Sequence, residues 1–319
     1  MGKSAVNWAI KLALTAGSLA YLLHKVDIGA AWRAGLSLSP WAFLGAVLLQ
    51  VIQVAICALR WQAVLRAIGS RLPFRRAVFL FSIGNFFGQV LPGAVGGDAV
   101  RILATRQTGL SLAASINSVM LERAATVYAL LLLTTLAEPA LFGRLTNLPT
   151  LWLFPSLTLG ASLGLLALSR LDRLPADWSR WRLVRGLARL AVDTRICFFR
   201  PRRALPILLI ALAGHVNLAL LAWVLAQGLG APVSLADCLV LLPPVVLVAT
   251  LPISIAGWGA REVAMVTVFG LIGVPAAQAT ALSVLFGLSG LLIALPGGLF
   301  WLMLRNVRPE QSADMENPH

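Results

Sequence analysis

Runs of about twenty apolar residues recur along the whole chain, and they constrain its fold more than any other feature. Each run has about the length that an α-helix needs to cross the hydrocarbon core of a bilayer. The clearest runs cover residues 5–23, 41–60, 112–136, 150–169, 205–227 and 277–304. Only 12% of the 319 residues are charged, whereas a soluble domain carries about 25%. We therefore predict an all-α, polytopic integral membrane protein with about six full spans.

Two further apolar regions, residues 77–108 and 236–272, are interrupted by proline and glycine. We predict that each is a re-entrant hairpin or a pair of short broken helices, which gives about eight membrane segments in all. Non-helical backbone at membrane depth is tolerated only where protein or a water-filled cavity shields it. The interruptions therefore predict that something polar lies between the spans.

The positive charge of the chain predicts its orientation in the membrane. The formal net charge is +14, and the arginines concentrate in connections between spans, which the positive-inside rule places in the cytoplasm. Segment 60–76 and the longer connection 170–204 are the most basic. The longer connection is either an ordinary loop or an amphipathic helix at the membrane surface. We expect an inner-membrane protein with both termini cytoplasmic, and no nucleic-acid partner.

An internal repeat relates the two interrupted regions. The stretch LPGAVGGDAVR begins at Leu91, and LPISIAGWGAR begins at Leu251. At a constant spacing of 160 residues, Pro92 matches Pro252, Gly97 matches Gly257, and Arg101 matches Arg261. This pattern predicts a duplication with halves at about 41–136 and 205–304, within one domain 1–305 that a polar tail, 306–319, follows. Opposite orientation of the halves would make the inverted repeat that is typical of secondary transporters.

The glycines of the first stretch predict a break in the helix. Gly96 and Gly97 allow the backbone to turn without a Cβ penalty. Asp98 then suits the N-cap of the next short helix, and Arg101 follows one turn later. A helix N-terminus inside the membrane offers free N–H groups to an anion. The remaining predicted break and hinge positions are Pro92, Pro252, Gly257 and Gly259, and Arg261 and Glu262 complete the second copy.

Glu122 and Arg123 lie near the middle of the predicted span 112–136. A charged residue there costs roughly 2.5–3.5 kcal/mol on insertion scales, so both side chains should face protein or water. Ser115 and Ser118 fall on the same helical stripe as Glu122. Arg123 points about 100° away from Glu122, which predicts that the two have different partners.

The polar residues of these regions form one candidate substrate-binding set. Its members are Asn85, Asp98, Arg101, Glu122, Arg123, Arg261 and Glu262. Ionisable groups inside a membrane mark functional sites by default. The alternative is that the charges only satisfy the broken backbone and pair with each other, and that Asn85 hydrogen-bonds between helices.

Motifs for cofactor chemistry are absent from the sequence. There is no Walker A loop, dinucleotide fingerprint, HExxH zinc motif or Gly-x-Ser-x-Gly elbow, and the three cysteines are scattered. We expect no cofactor, no metal and no catalytic residue, and therefore not an enzyme.

The chain resembles the lysylphosphatidylglycerol synthase transmembrane family, also called the flippase-like domain family. Asn85, LPGAVGGDAVR (91–101), SVMLERA (118–124) and LPISIAGWGAREVA (251–264) carry the resemblance. It implies an inner-membrane protein that moves a lipid between leaflets. In bifunctional members a soluble aminoacyltransferase domain follows, whereas we expect a stand-alone member here. Other stand-alone members are associated with polyprenyl-linked saccharides or hopanoids, so the resemblance leaves the lipid class open. The function that the resemblance favours is lipid transport. The alternatives are an intramembrane lipid-modifying enzyme with Glu122 or Asp98 as a base, and a non-transporting partner of a synthase or glycosyltransferase.

Overall fold

The described part of the chain consists of helices joined by short connections. The computed structural model describes residues 28–90, 94–141, 152–173, 182–251, 254 and 256–306. The helices are α1 (Ile28–Leu36), α2 (Pro40–Ala67), α3 (Phe74–Val90), α4 (Ala94–Arg106), α5 (Leu112–Ala137), α6 (Leu153–Leu168), α7 (Arg182–Phe199), α8 (Pro201–Gly228), α9 (Leu235–Thr250), α10 (Ala260–Gly270) and α11 (Ala276–Asn306). This confirms the all-α prediction. The predicted span 5–23, Pro92, Pro252 and residues 307–319 lie outside the described residues.

Five of the described helices are long and apolar enough to cross a membrane. They are α2, α5, α6, α8 and α11, and they coincide with the apolar runs predicted from residue 41 onward. The chain is therefore a polytopic membrane protein, while the total number of spans stays a prediction. The most extensive helix contact joins α2 to α8, and α3 packs along α11.

Each interrupted region forms a pair of short helices, as predicted. In the first region α3 packs against α4, and in the second α9 packs against α10. Helix α4 has 13 residues and α10 has 11, which correspond to lengths of about 20 and 17 Å. Neither reaches the roughly 30 Å of a bilayer core. Neither helix is therefore long enough to span the core by itself.

The second break has left-handed backbone, as its glycines predict. Ala256, Gly257 and Gly259 have φ angles of 51°, 79° and 82°, a region that glycine adopts at no steric cost. Gly259 is the N-cap of α10, and its amide donates to Oε2 of Glu262 at 2.6 Å. Gly257 and Gly259 thus lie in the non-helical segment before α10.

The first break is built differently, and two predictions about it are wrong. Gly96 and Gly97 lie inside α4, which begins at Ala94, so they do not break the helix. Asp98 lies one residue further into the same helix and is not its N-cap. The actual break falls between Val90 and Ala94. The sequence comparison therefore matches two glycines, Gly97 and Gly257, that have different structural roles.

Gly97 permits close contact between α3 and α4. A Cβ atom at this position would overlap the carbonyl oxygen of Gly84 and lie 2.8 Å from the amide nitrogen of Gly88. Gly84 and Gly88 form a GxxxG pattern, which brings helix backbones together in membranes. The glycine is required here because a neighbouring backbone occupies the space of a side chain.

Helix α7 lies within the basic connection 170–204 and packs one face on the bundle. Its Thr194 is buried, whereas Arg185 and Arg189 are exposed. This favours the amphipathic-helix interpretation of the connection. Asn117 of α5 donates to Oδ2 of Asp193 at 2.6 Å. Burial raises the pKa of this carboxyl above its ordinary value, although the hydrogen bond from Asn117 acts in the opposite direction.

Candidate functional site

Glu122 of α5 lies between two buried arginines. Arg60 of α2 donates from Nε to Oε1 at 2.8 Å, and Arg101 of α4 donates from Nη2 to Oε2 at 2.9 Å. The side chains of Arg101 and Glu122 are each 2% exposed. Buried charges are costly unless they are paired, so this bridge ties α2, α4 and α5 together. The prediction that Glu122 faces protein is confirmed, and Ser115 and Ser118 on the same stripe are buried as well.

Arg123 has a different partner from Glu122, as the angle between the two side chains predicts. Its guanidinium donates to both carboxylate oxygens of Asp98, at 2.8 and 3.1 Å. Arg101 Nη2 lies 3.3 Å from Oδ1 of Asp98 and so joins the two ion pairs into one cluster. With Arg60, this charged cluster contains three guanidinium groups and two carboxylates. Its formal charge is therefore plus one.

Aromatic rings hold Arg101 in place. Its guanidinium carbon lies 5.0 Å from the ring centroid of Trp61 and 5.2 Å from that of Phe81, within the range of cation–π attraction. Trp61 is itself fixed, because its Nε1 donates to Ser118 Oγ at 3.1 Å. The Nε atom of Arg101 is buried and has no hydrogen-bond partner within the described residues.

A cavity of about 220 Å³ lies between the α3–α4 pair and the segment that follows α9. Its wall consists of Phe81, Gly84, Asn85, Gly88, Gln89, Gly97, Asp98, Arg101, Arg123, Ala249, Thr250, Leu251, Ser254, Ala256 and Gly257. Arg101 is at its buried end, and Arg123, whose side chain is 45% exposed, is at its accessible end. The cavity confirms that a polar feature lies where the two helix pairs are interrupted.

Several polar groups on this wall have no hydrogen-bond partner among the described residues. The Oγ atom of Ser254 is buried and makes no hydrogen bond with the described residues. The side-chain amides of Asn85 and Gln89 also make none within that part of the chain. An unsatisfied buried polar group costs about 1–3 kcal/mol. A ligand or water that hydrogen-bonds these groups would remove that cost.

Gly97 and Gly257, which match in the repeat, line this same cavity. Both interrupted regions therefore contribute to its wall. The inverted duplication and the domain halves stay predictions, since a shared cavity does not by itself relate the halves by symmetry.

Arg261 and Glu262 form a separate buried cluster. Arg261 Nη2 donates to Glu262 Oε1 at 2.7 Å, and Ser283 Oγ donates to the same oxygen at 2.9 Å. The guanidinium also lies 4.6 Å from the ring of Trp258. Neither charged residue lines the cavity. The structure thus brings five of the seven predicted site residues together and places these two elsewhere.

Arg60 is the main participant that the sequence analysis missed. The sequence analysis places Arg60 in the basic segment 60–76. In the structure α2 extends to Ala67, and Arg60 is buried within this helix. One signal was present: Glu122, deep in a predicted span, required a cation from a neighbouring helix. Trp61 and Ser254 gave no comparable signal.

These features define a polytopic helical membrane protein in which a buried charged cluster borders a polar cavity between two broken helix pairs. The chain belongs to the family described as the lysylphosphatidylglycerol synthase TM region, whose profile matches residues 8–298. This confirms the resemblance found in the sequence motifs. No curated protein is significantly similar to the chain.

Proposed function

We propose that this protein moves a lipid between the leaflets of the cytoplasmic membrane. The observation that carries the proposal is the cavity, whose wall combines unpartnered polar groups with a positively charged cluster inside an apolar bundle. Membership of a family of membrane domains that are often associated with flippase-like function supports it. The partners are then membrane lipids with an anionic headgroup or a lipid-linked phosphate.

The charged cluster supplies the attraction for the headgroup. Arg123 lies at the accessible end of the cavity, and the guanidinium of Arg101, which also binds Glu122, borders the buried end. Arginine binds phosphate through strong, charge-assisted hydrogen bonds. Leu251 on the wall is 45% exposed, which gives acyl chains an apolar surface beside the cavity. The headgroup enters the protein while the chains stay in the bilayer.

The same geometry disfavours the alternative of an intramembrane enzyme. A general base must reach the proton that it abstracts. Both oxygens of Glu122 accept hydrogen bonds from arginine, and so do both oxygens of Asp98. The two carboxylates are therefore engaged, which supports a binding role. Since the sequence has no nucleotide-binding motif, we expect transport to be passive or driven by a gradient.

Replacing Gln89 with leucine tests the proposal without disturbing an ion pair. The Gln89 amide lines the cavity and makes no hydrogen bond with the described residues. The protein should therefore still fold without it, whereas the rate of lipid movement should fall. We expect a decrease of roughly ten-fold, which corresponds to about 1.4 kcal/mol, in a fluorescent-lipid translocation assay in liposomes. Gln107→Leu, the same change at an exposed position after α4, is the control. Equal rates for both variants, or no translocation by the unaltered protein, would contradict the proposal.

The proposed orientation places both termini, the connection 68–73 within the basic segment 60–76, and the connection 170–204 in the cytoplasm. Its test is cysteine labelling, and the native cysteines do not interfere because all three are buried. An impermeant thiol reagent should label Pro232→Cys, in the α8–α9 connection, in intact cells. Ser70→Cys and Gly186→Cys should label only after permeabilisation. Labelling of Gly186→Cys from outside would reverse the orientation.

A further inference from the structure

We infer that the cavity binds a phosphodiester of charge minus one with a small uncharged headgroup, so that the substrate class is an anionic glycerophospholipid of the phosphatidylglycerol type. This inference rests on the proposed function, because it names the lipid that the same cavity holds. Charge, size and hydrogen-bonding capacity each support it independently.

The first argument is charge balance. The charged cluster beside the cavity has a formal charge of plus one, and no other charged residue lines the wall within the described residues. Near the two breaks, the residues outside the described part of the chain are 91–93, 252, 253 and 255. None of them has a charged side chain. A phosphodiester neutralises a single positive charge. A diphosphate, with a charge of minus two or more, would leave an excess negative charge in a low-dielectric site, which is costly.

The second argument excludes a cationic headgroup. A lysyl ester of phosphatidylglycerol, the lipid after which the family is named, adds two amino groups to the phosphodiester. These would need a free carboxylate on the wall. Asp98 is bound by Arg123 through both oxygens, and Glu122, just behind the wall, is bound by two arginines. An ammonium group in this cavity would face the net positive charge of the cluster without a partner.

The third argument is size. The cavity has a volume of about 220 Å³ and opens where the Arg123 side chain is 45% exposed. A phosphate with a small polyol fits inside this space, whereas most of a saccharide joined through a diphosphate would have to lie outside it. The dimensions therefore favour a phospholipid headgroup over a polyprenyl-linked oligosaccharide.

The fourth argument is the chemistry of the neutral wall. Asn85 and Gln89 of α3 line the cavity with half-buried amides, and Ser254 adds an enclosed hydroxyl. None of these three groups has a hydrogen-bond partner among the described residues. Amides and hydroxyls both donate and accept hydrogen bonds. Such groups suit the hydroxyls of a polyol, which also donate and accept. Together the four arguments assign an anionic phosphodiester with a hydroxylated headgroup.

The binding experiment compares lipids that differ in one property. Purified protein in detergent is titrated with phosphatidylglycerol, lysylphosphatidylglycerol, phosphatidylcholine and a polyprenyl diphosphate, and dissociation constants are measured from thermal stabilisation. Water-soluble glycerophosphoglycerol is included to separate a lipid from a free phosphodiester. We expect phosphatidylglycerol to bind most tightly. Preference for any other lipid overturns the inference, as does binding of the soluble diester with none of phosphatidylglycerol.

Asn85→Asp tests the charge argument directly. The variant changes one amide into a carboxylate of nearly the same shape and removes the net positive charge of the site. Affinity for phosphatidylglycerol should fall by roughly ten-fold or more, because like charges placed together strongly oppose binding. Affinity for lysylphosphatidylglycerol should rise. Gln107→Glu, at an exposed position, should alter neither. Unchanged phosphatidylglycerol binding in Asn85→Asp overturns the charge argument.

Failure of the inference can be distinguished from failure of the proposed function. If liposomes show rapid movement of phosphatidylcholine or a polyprenyl diphosphate but not of phosphatidylglycerol, transport stands and the substrate class is wrong. If phosphatidylglycerol binds with the expected preference but no lipid moves, the site stands and transport is wrong.

Discussion

Glu122→Gln is expected to remove most of the folded protein that can be extracted from the membrane. Glutamine preserves the size of the side chain but cancels the only charge between Arg60 and Arg101. Breaking a buried ion pair by removing one partner costs about 3–5 kcal/mol, a large share of the 5–15 kcal/mol that typically stabilises a protein. The measurements are the yield of monodisperse protein in mild detergent and its melting temperature.

Asp172→Asn provides the matched control for this prediction. Arg195 also binds the Asp172 carboxylate through both oxygens, at 2.9 and 2.6 Å, but this pair is at the surface. Surface pairs contribute little, so the variant should melt close to the unaltered protein. Adding Arg60→Gln to Glu122→Gln should restore part of the yield, because Arg101 is then the one charge left of the Arg60–Glu122–Arg101 bridge and Asp98 lies 3.3 Å from it. A melting temperature of Glu122→Gln equal to that of Asp172→Asn would show that the cluster is hydrated and structurally unimportant.

Gly97→Ala is expected to be the second most damaging change, although it adds a single methyl group. The added carbon would overlap the carbonyl oxygen of Gly84 and crowd the backbone of Gly88. Backbone atoms of a packed helix cannot rotate away as a side chain can, so α3 and α4 must separate. Overpacking of this kind costs about 1–3 kcal/mol. It should lower the melting temperature and, because the cavity lies between the same helices, slow lipid movement as well.

Gly88→Ala is the control for the helix contact, since a Cβ at Gly88 meets no atom within 4 Å. Alanine favours helix over glycine by about 1 kcal/mol, so this variant should be at least as stable as the unaltered protein. A Gly97→Ala variant that is also more stable would contradict the close contact between α3 and α4.

Apolar runs predicted the long helices because each span must satisfy its own backbone in lipid, a constraint that acts locally. Interruption by glycine and proline predicted the two short helix pairs for the same reason. The different partners of Glu122 and Arg123 followed from helix geometry alone. These features depend on residues close in sequence.

Other features of the site depend on distant contacts, and the sequence did not reveal them. Arg60 is separated from Glu122 by 62 positions, and nothing near it distinguishes it from a loop arginine. Gly97 and Gly257 match in the repeat, yet one permits a close helix contact and the other adopts a positive φ. Glycine serves both needs, so its presence alone does not identify which one applies. Arg261 aligns with Arg101 but pairs with its own neighbour, Glu262.

Arg101 holds the helices together and also lines the cavity. These two roles affect how the effects of mutations in this protein should be interpreted. A mutational scan scored only by transport would rank Arg101 with Asn85 and Gln89 as equally essential. A scan scored also by protein abundance would separate them. Variants at Arg101 would be lost from the membrane, as would variants at Glu122 and Arg60. Variants at the two amides would remain abundant but transport slowly. The residues that define lipid specificity are then those whose loss leaves abundance unchanged.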